Sequence, residues 1–162
     1  MAAVAHSRRA VVTTPSDTQI RITREFDAPR ALVYRAWTTP ELVRRWWSAN
    51  RGEMTVADID LRVGGTWRYA MVTPDGREVA FHGEYREIIA AARIVSTEVF
   101  EGAPEAAAVT TVTFDEHDGA TTVTILVDHQ RREYRDMHLR SGMEDGLQDA
   151  LALLERAVAA LA

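Results

Sequence analysis

The chain has 162 residues, of which 46% are hydrophobic and 27% are charged, and its formal net charge is -5. This length and composition fit one ordinary globular domain and exclude a largely disordered protein. The acidic balance argues against a large nucleic-acid footprint, which needs a net basic face. Because the sequence has no cysteine, disulfide bonds, thiolate catalysis and cysteine metal ligands are excluded.

The first residues combine Ala, Ser, Thr, Pro and Arg without periodicity, which predicts a mobile N-terminal arm over residues 1–17. Arg8 and Arg9 follow a short alanine-rich run instead of preceding a long apolar one, so the order of a signal peptide is missing. We therefore expect a cytoplasmic protein without a membrane span, in which residues 18–162 form a single domain.

The first structural elements are predicted from alternation and from proline positions. Thr18 to Phe26 alternates apolar and polar residues, which predicts a strand. Pro29 suits a first helical turn, and the apolar residues of 31–37 follow at helical spacing. Pro40 ends this helix and opens a second short one, predicted over Glu41 to Trp46.

The middle of the chain is predicted to be a run of strands. In the strand that follows the Gly64-Gly65 pair, Trp67, Tyr69 and Met71 share one face, as expected for a period of two. Turn residues at 73–76 and 116–119 predict two hairpins, and residues 101–108 predict a loop that forms a mobile rim. The remaining predicted strands are Met54–Ile59, Val79–Ile89, Ile94–Phe100, Val109–Phe114 and Thr121–Val127.

An apolar stripe at three- and four-residue steps predicts one long helix from Tyr134 to Ala160. Gly142 and Gly146 would lie on one face of this helix, where they permit close contact with the sheet or leave space for a ligand. The element order therefore predicts an α+β fold, in which six or seven antiparallel strands pack on a long C-terminal helix after two short helices.

The turn before the strand at Trp67 is predicted to be rigid. Gly64 and Gly65 permit a bend or a positive dihedral angle, and Asp60 and Arg62 are expected to hold the neighbouring turn by hydrogen bonds. A Gly65→Val substitution is therefore expected to destabilise the domain.

Short motifs spread from Thr18 to Leu161 carry a family resemblance. They are Asp27-Ala28-Pro29, Val33, Trp37-Thr38, Pro40-Glu41, Trp46-Trp47, Asp60, Arg62, Gly64-Gly65, Trp67, Met71, Gly76, Gly83, Glu87-Ile88 and Gly142-Met143. In order and spacing they resemble the START-like, or SRPBCC, helix-grip superfamily, and within it the group named for the activator of Hsp90 ATPase. The resemblance implies a curved sheet wrapped on the long helix, with a cavity between them that holds an apolar small molecule in many relatives.

Two positions depart from the pattern that the resemblance implies. Glu98 stands where relatives often carry a tryptophan, and Gly142-Met143 stands where they often carry Gly-Trp. The loss of two indole rings is expected to change the volume and shape of the cavity.

A modest ligand pocket is predicted between sheet and helix, open near Trp47 and the loop at residues 101–108. A large dry void is excluded because an empty apolar cavity costs about 24 cal/mol per Å³. The alternative is that the same side chains only form the core. The predicted ligand-binding residues are Trp47, Trp67, Tyr69, Met71, Phe81, Tyr85, Met137, Met143 and Leu147.

No metal, cofactor or catalytic group is predicted. His82, His117, His129 and His138 match no zinc-binding spacing, and the serines lack the glycine-flanked elbow of hydrolases. The basic run at residues 131–135 is predicted to be solvated, with a contact to an anionic ligand head as the alternative.

The predicted function is binding of an apolar small molecule. Two alternatives remain open: a cyclase- or hydratase-like enzyme in the same cavity, and a co-chaperone that contacts an Hsp90-type ATPase. The co-chaperone ranks last because this one domain leaves no room for the separate N-terminal domain of the eukaryotic activator. A homodimer is also considered as a partner state.

Overall fold

The computed structural model describes residues 8–162. One 3-10 turn at Pro104–Ala106 lies inside the loop predicted at residues 101–108. The regular elements in chain order are β1 (Val11–Thr13), β2 (Gln19–Phe26), α1 (Arg30–Thr38), α2 (Pro40–Val43), β3 (Glu53–Ile59), β4 (Thr66–Val72), β5 (Glu78–Ile89), β6 (Arg93–Phe100), β7 (Ala108–His117), β8 (Ala120–His129), α3 (Arg132–Arg140) and α4 (Met143–Ala159).

The strands form one curved, open antiparallel sheet in the order β1-β2-β8-β7-β6-β5-β4-β3. The α+β helix-grip prediction is confirmed, although the sheet has eight strands instead of six or seven. The ladder is irregular at two places, where the register shifts between Met54 and Val56 in β3 and between Tyr85 and Glu87 in β5. Such bulges bend a strand and increase its local twist, which helps the sheet to curve around the helices.

The segment before β2 differs from the predicted mobile arm. Val11–Thr13 pairs with β2 as an edge strand, because the unpaired edge of β2 offers partners for its backbone groups. The backbone of Ala10 exchanges two hydrogen bonds of 2.8 Å with the side-chain amide of Gln148 in α4. Arg8 donates to Asp27 at 2.7 Å. The prediction is therefore wrong for these residues, and residues 1–7 lie outside the described range.

Both short helices lie after β2, as predicted. Pro29 caps α1 with φ -65°, and Pro40 occupies the first turn of α2. The second helix ends at Val43, earlier than predicted, and turns continue from there to residue 50. In these turns the indole of Trp46 donates a buried hydrogen bond of 3.0 Å to the carbonyl of Ala36. This bond fastens the turns to α1.

The predicted long helix is broken into α3 and α4, which corrects the expectation of one helix from Tyr134 to Ala160. Gly142 has φ +81°, a left-handed conformation that ends helices and that glycine adopts without strain. Ser141 donates through both its backbone N–H and its hydroxyl to the carbonyl of His138, which completes the end of α3. Gly142 therefore changes the direction of the chain and does not provide a flat packing face.

The core lies between the concave face of the sheet and the helices, and the second half of α4 closes it. The buried residues of α4 begin at Ala150, whereas Met143 and Leu147 are only partly buried. The first half of α4 thus covers the concave face less completely than the second half. The largest fully buried side chains are Phe26, Phe114, Ile20, Leu151, Leu154, Val33, Val43 and Val123.

Candidate functional site

Aromatic side chains from three neighbouring strands meet on the concave face. The register places Tyr69 of β4 opposite Phe81 of β5, and Phe81 opposite Phe100 of β6. The rings of Phe81 and Phe100 are 5.0 Å apart between centroids, and those of Trp67 and Tyr69 are 4.9 Å apart. These distances lie in the range of favourable aromatic pairs.

Trp47 joins this group from the turns after α2. Its ring lies 5.5 Å from Tyr69 and 5.6 Å from Phe81, with edge-to-face geometry in both cases. The turns are held on α4, because Arg51 forms an ion pair of 3.0 Å with Asp149. Trp47, Trp67, Tyr69, Phe81 and Phe100 therefore form one continuous unit, called here the aromatic cluster.

The aromatic cluster extends from the core to solvent. Trp67 and Tyr69 are buried, Trp47 and Phe81 are partly buried, and Phe100 is 41% exposed. Phe100 was not among the predicted site residues, although it shares the period of two with Ile94 on the same strand. The exposed ring of Phe100 therefore continues the buried aromatic series to the surface and offers apolar contact area there.

The other predicted site residues have different surroundings. Tyr85 is buried on the same face, and Met143 and Leu147 pack against the core from the first half of α4. The Met71 sulfur lies beside Gly52, and Met137 is 48% exposed on α3. The structure therefore brings Trp47, Trp67, Tyr69 and Phe81 into one cluster.

Two buried phenols accompany the cluster. Burial raises the pKa of Tyr69 well above its usual value, and the neighbouring Tyr85 phenol raises it further. Burial also raises the pKa of Tyr85. Both side chains therefore stay protonated and uncharged at neutral pH, which suits an apolar surrounding.

A carboxyl group and an imidazole lie on the same concave face, and a second imidazole on α3 contacts the first. The sequence connected only Glu98 to the cavity, as the residue that stands in place of a tryptophan. The Thr110 hydroxyl donates to Oε2 of Glu98 at 3.0 Å, and burial raises the pKa of the Glu98 carboxyl. His129 Nε2 and His138 Nδ1 are 3.0 Å apart, so one ring donates and the other accepts. Burial lowers the pKa of His138 to about 4, with a smaller contribution from His129.

The loop before β7 is anchored at its beginning. Arg68 donates to both carboxylate oxygens of Glu101, at 2.9 and 3.0 Å, and His82 Nδ1 lies 2.9 Å from the same carboxylate. The hydrogen bonds from Arg68 and His82 lower the pKa of Glu101 to about 2. A charged network on the outer face of the sheet therefore fixes the beginning of the loop at residues 101–108.

Two surface cavities are lined by residues outside the aromatic cluster. One open groove of about 390 Å³ is lined by Asn50, Gly52, Glu53, Val72, Thr73 and Pro74. A second cavity of about 210 Å³ is lined by Phe26, Asp27, Ala28, Glu155, Val158 and Ala159. Neither contains a predicted ligand-binding residue, so the predicted pocket between sheet and helix stays a prediction.

Sequence comparison identifies the family. The family model described as activator of Hsp90 ATPase homolog 1-like protein matches residues 27–159. The chain belongs to this family. Membership confirms the resemblance carried by the motifs between Asp27 and Met143, and it agrees with the helix-grip architecture.

Solved structures of proteins from other organisms have the same fold as this family member. A Rhodobacter sphaeroides protein has a TM-score of 0.88 at 24% identity, covering 94% of this chain and 99% of that one. A Mycobacterium smegmatis protein has a TM-score of 0.80 at 27% identity, covering 91% and 95%. An AHSA1-like protein from Aeromonas hydrophila has a TM-score of 0.67 at 25% identity, covering 87% and 93%. No curated protein matches the chain.

Among residues 8–162, no helix combines the length and the apolar character that a membrane crossing requires. Within the same range, no three His, Asp or Glu side chains are grouped so that they could hold a metal ion.

Proposed function

We propose that this family member binds a small molecule with a largely apolar body against the aromatic cluster, between the sheet and the first half of α4. The observation that carries the proposal is the continuity of the cluster from buried Trp67 to Phe100, which is 41% exposed. A core alone would not need a series of aromatic rings that reaches the surface. The family's helix-grip fold supports the same reading.

The partly buried side chains of α4 provide the opposite wall. Met143 and Leu147 pack against the core but retain exposed surface. Methionine has a flexible, polarizable side chain that can repack around a guest. A modest site of this kind can open for a ligand without a large empty void in the free protein, which would destabilise the domain.

Binding of the neutral fluorescent probe N-phenyl-1-naphthylamine tests this proposal. We expect a dissociation constant of about 1 μM, which corresponds to about -8 kcal/mol. A Leu147→Trp variant should lose the binding at least tenfold while keeping its circular dichroism spectrum, because the indole would fill the space in front of the aromatic cluster.

The matched control is Ala152→Trp, which adds the same ring at an exposed position of the same helix. This variant should bind the probe as the wild type does. Equal binding by wild type and Leu147→Trp would place the site elsewhere. The absence of binding by the wild type would assign the aromatic cluster to the core alone.

Contact with an Hsp90-type ATPase is a second proposal, supported by the description of the family alone. It is tested by measuring the ATPase rate of such a chaperone with and without the protein. A rate that rises with protein concentration supports this function. An unchanged rate, together with probe binding, leaves ligand binding as the function.

A further inference from the structure

A row of five neighbouring positions crosses the concave face beside the aromatic cluster. Trp67 pairs with Gly83 between β4 and β5. The β5–β6 pairs on either side, His82 with Val99 and Tyr85 with Ser96, put Glu98 at the level of Gly83. Glu98 pairs with Ala108, and Ala108 pairs with His129 of β8. Because opposite residues of antiparallel strands point to the same side, these positions share the concave face.

The row alternates between large polar-tipped side chains and very small ones. Gly83 and Ala108 are the two small members, one on each side of Glu98. A Cβ atom placed on Gly83 would collide with the carbonyl oxygen of Thr97 and lie 2.5 Å from Nε1 of Trp67, so the β6 backbone and the indole N–H both lie close to this glycine. The missing side chain at Gly83 thus makes room for the indole beside β6.

Three polar groups in this row have unused hydrogen-bonding capacity. Within residues 8–162, Trp67 Nε1 and His129 Nδ1 are buried and have no hydrogen-bond partner. Oε2 of Glu98 accepts from Thr110, whereas no hydrogen bond in the described residues engages Oε1. A buried polar atom without a partner destabilises the folded protein, and Trp67 is only 8% exposed. Two such atoms in one row, Trp67 Nε1 and His129 Nδ1, indicate that something else satisfies them, and the free oxygen of the partly buried Glu98 lies between them in the row.

The row has no free cation. Burial lowers the pKa of His129, Asp128 raises it, and Arg135 lowers it further. The His129 ring is therefore neutral at pH 7. The Arg135 guanidinium is engaged by Asp136 and by the carbonyl of Ser16. An anionic ligand would therefore find donors but no positive charge to balance its desolvation.

We propose that the row Trp67–Gly83–Glu98–Ala108–His129 is a polar subsite for an uncharged head group that both accepts and donates a hydrogen bond, such as the hydroxyl of a phenol. This inference rests on the proposed function, because the apolar body of the same ligand lies against the aromatic cluster. The indole N–H of Trp67 donates to the ligand oxygen, and the ligand hydroxyl donates to Oε1 of Glu98.

The head-group chemistry is tested with three naphthalene probes that differ in one substituent. The three probes are 1-naphthol, unsubstituted naphthalene and 1-naphthoate. The affinity of each is measured by its displacement of N-phenyl-1-naphthylamine from the wild type. We expect 1-naphthol to bind about tenfold tighter than the other two, because only its neutral hydroxyl satisfies both Trp67 and Glu98. Tenfold equals about 1.4 kcal/mol, the size of one good hydrogen bond.

Substitutions at Glu98 assign the effect to the row. Glu98→Leu should bind 1-naphthol and naphthalene equally well, with the naphthalene affinity unchanged or improved. Glu98→Gln keeps a hydrogen-bond acceptor at this position and should keep the preference for 1-naphthol. Glu84→Leu is the matched control, since Glu84 is exposed on the outer face of β5, and it should change none of the three affinities.

The outcomes separate this inference from the proposed function. Equal affinities for 1-naphthol and naphthalene in the wild type would overturn the polar subsite but leave the apolar site in place. Tightest binding of 1-naphthoate would also overturn it, because the head group would then be an anion. Failure of the wild type to bind the reporter would overturn both.

Discussion

Lowering the pH from 7 to 4 is expected to reduce the free energy of unfolding by about 3 kcal/mol through His138. Burial and the nearby His129 lower the pKa of His138 from 6.5 to about 4. Between these values the unfolded chain binds a proton that the folded protein does not, so stability is lost as the pH falls through this window. Burial of the His138 ring is the main physical reason that the folded state resists the proton, and the 3.0 Å contact with His129 adds to it.

The measurement is urea unfolding of wild type and His138→Gln at several pH values between 7 and 4. The difference in stability between the two proteins should shift by about 3 kcal/mol in favour of the variant as the pH falls. Comparing variants is necessary because burial raises the pKa of Glu98, which acts in the opposite direction. The control His117→Gln alters an exposed histidine and should follow the wild type. Parallel curves for His138→Gln and wild type would show that the imidazole pair does not couple protonation to folding.

A Gly65→Val substitution is expected to destabilise the protein by more than about 2 kcal/mol. A Cβ at Gly65 would collide with the carbonyl oxygen of Asp60 and lie 3.0 Å from that of Arg62. The turn cannot move freely, because the backbone of Gly65 donates to Arg62 and accepts from Tyr85. Gly64, at φ +83°, fixes the direction of the chain beside it.

Urea unfolding of Gly65→Val checks this expectation, with Gly146→Ala as the matched glycine control. A Cβ on Gly146 meets nothing closer than Arg51 at 4.0 Å. Alanine should therefore stabilise α4 by up to about 1 kcal/mol through its higher helix propensity. If Gly65→Val unfolds at the wild-type urea concentration, the tight turn contributes nothing to the stability of the sheet.

The local features of this protein were predictable because their signals lie within a few residues. The hairpin turn at residues 73–76 contains a proline and a glycine with φ +84°, a pair that is recognisable without tertiary information. The Asp60–Arg62 ion pair at 2.9 Å and the positive φ of Gly64 agree with the turn expected before β4. The family motifs also predicted the helix-grip architecture.

Two errors arose where a local signal was ambiguous. The apolar stripe continues through residues 137–161 with helical spacing, so the left-handed Gly142 that separates α3 from α4 was read as a helical residue. Strand β1 has only three residues, and its middle residue Val12 is partly buried between two exposed neighbours. A strand this short gives too few positions for a periodicity to be seen.

The same difference applies to the candidate site: a local pattern predicted some of its residues, and the register between separate strands decided the others. The alternation in β4 and β5 was enough to select Trp67, Tyr69, Phe81 and Tyr85, because period two tells which residues of one strand share a face. It was not enough to find Phe100 or Glu98 as their neighbours.

Sequence alone thus established the fold class, the order of most elements and the apolar face of β4 and β5, since each depends on spacing along the chain. The tertiary structure alone established the row from Trp67 to His129, the pairing of His129 with His138 and the break at Gly142. These features depend on which residues of separate strands become neighbours and on how α3 folds back on β8. Register and chain reversal bring together residues that no local periodicity relates.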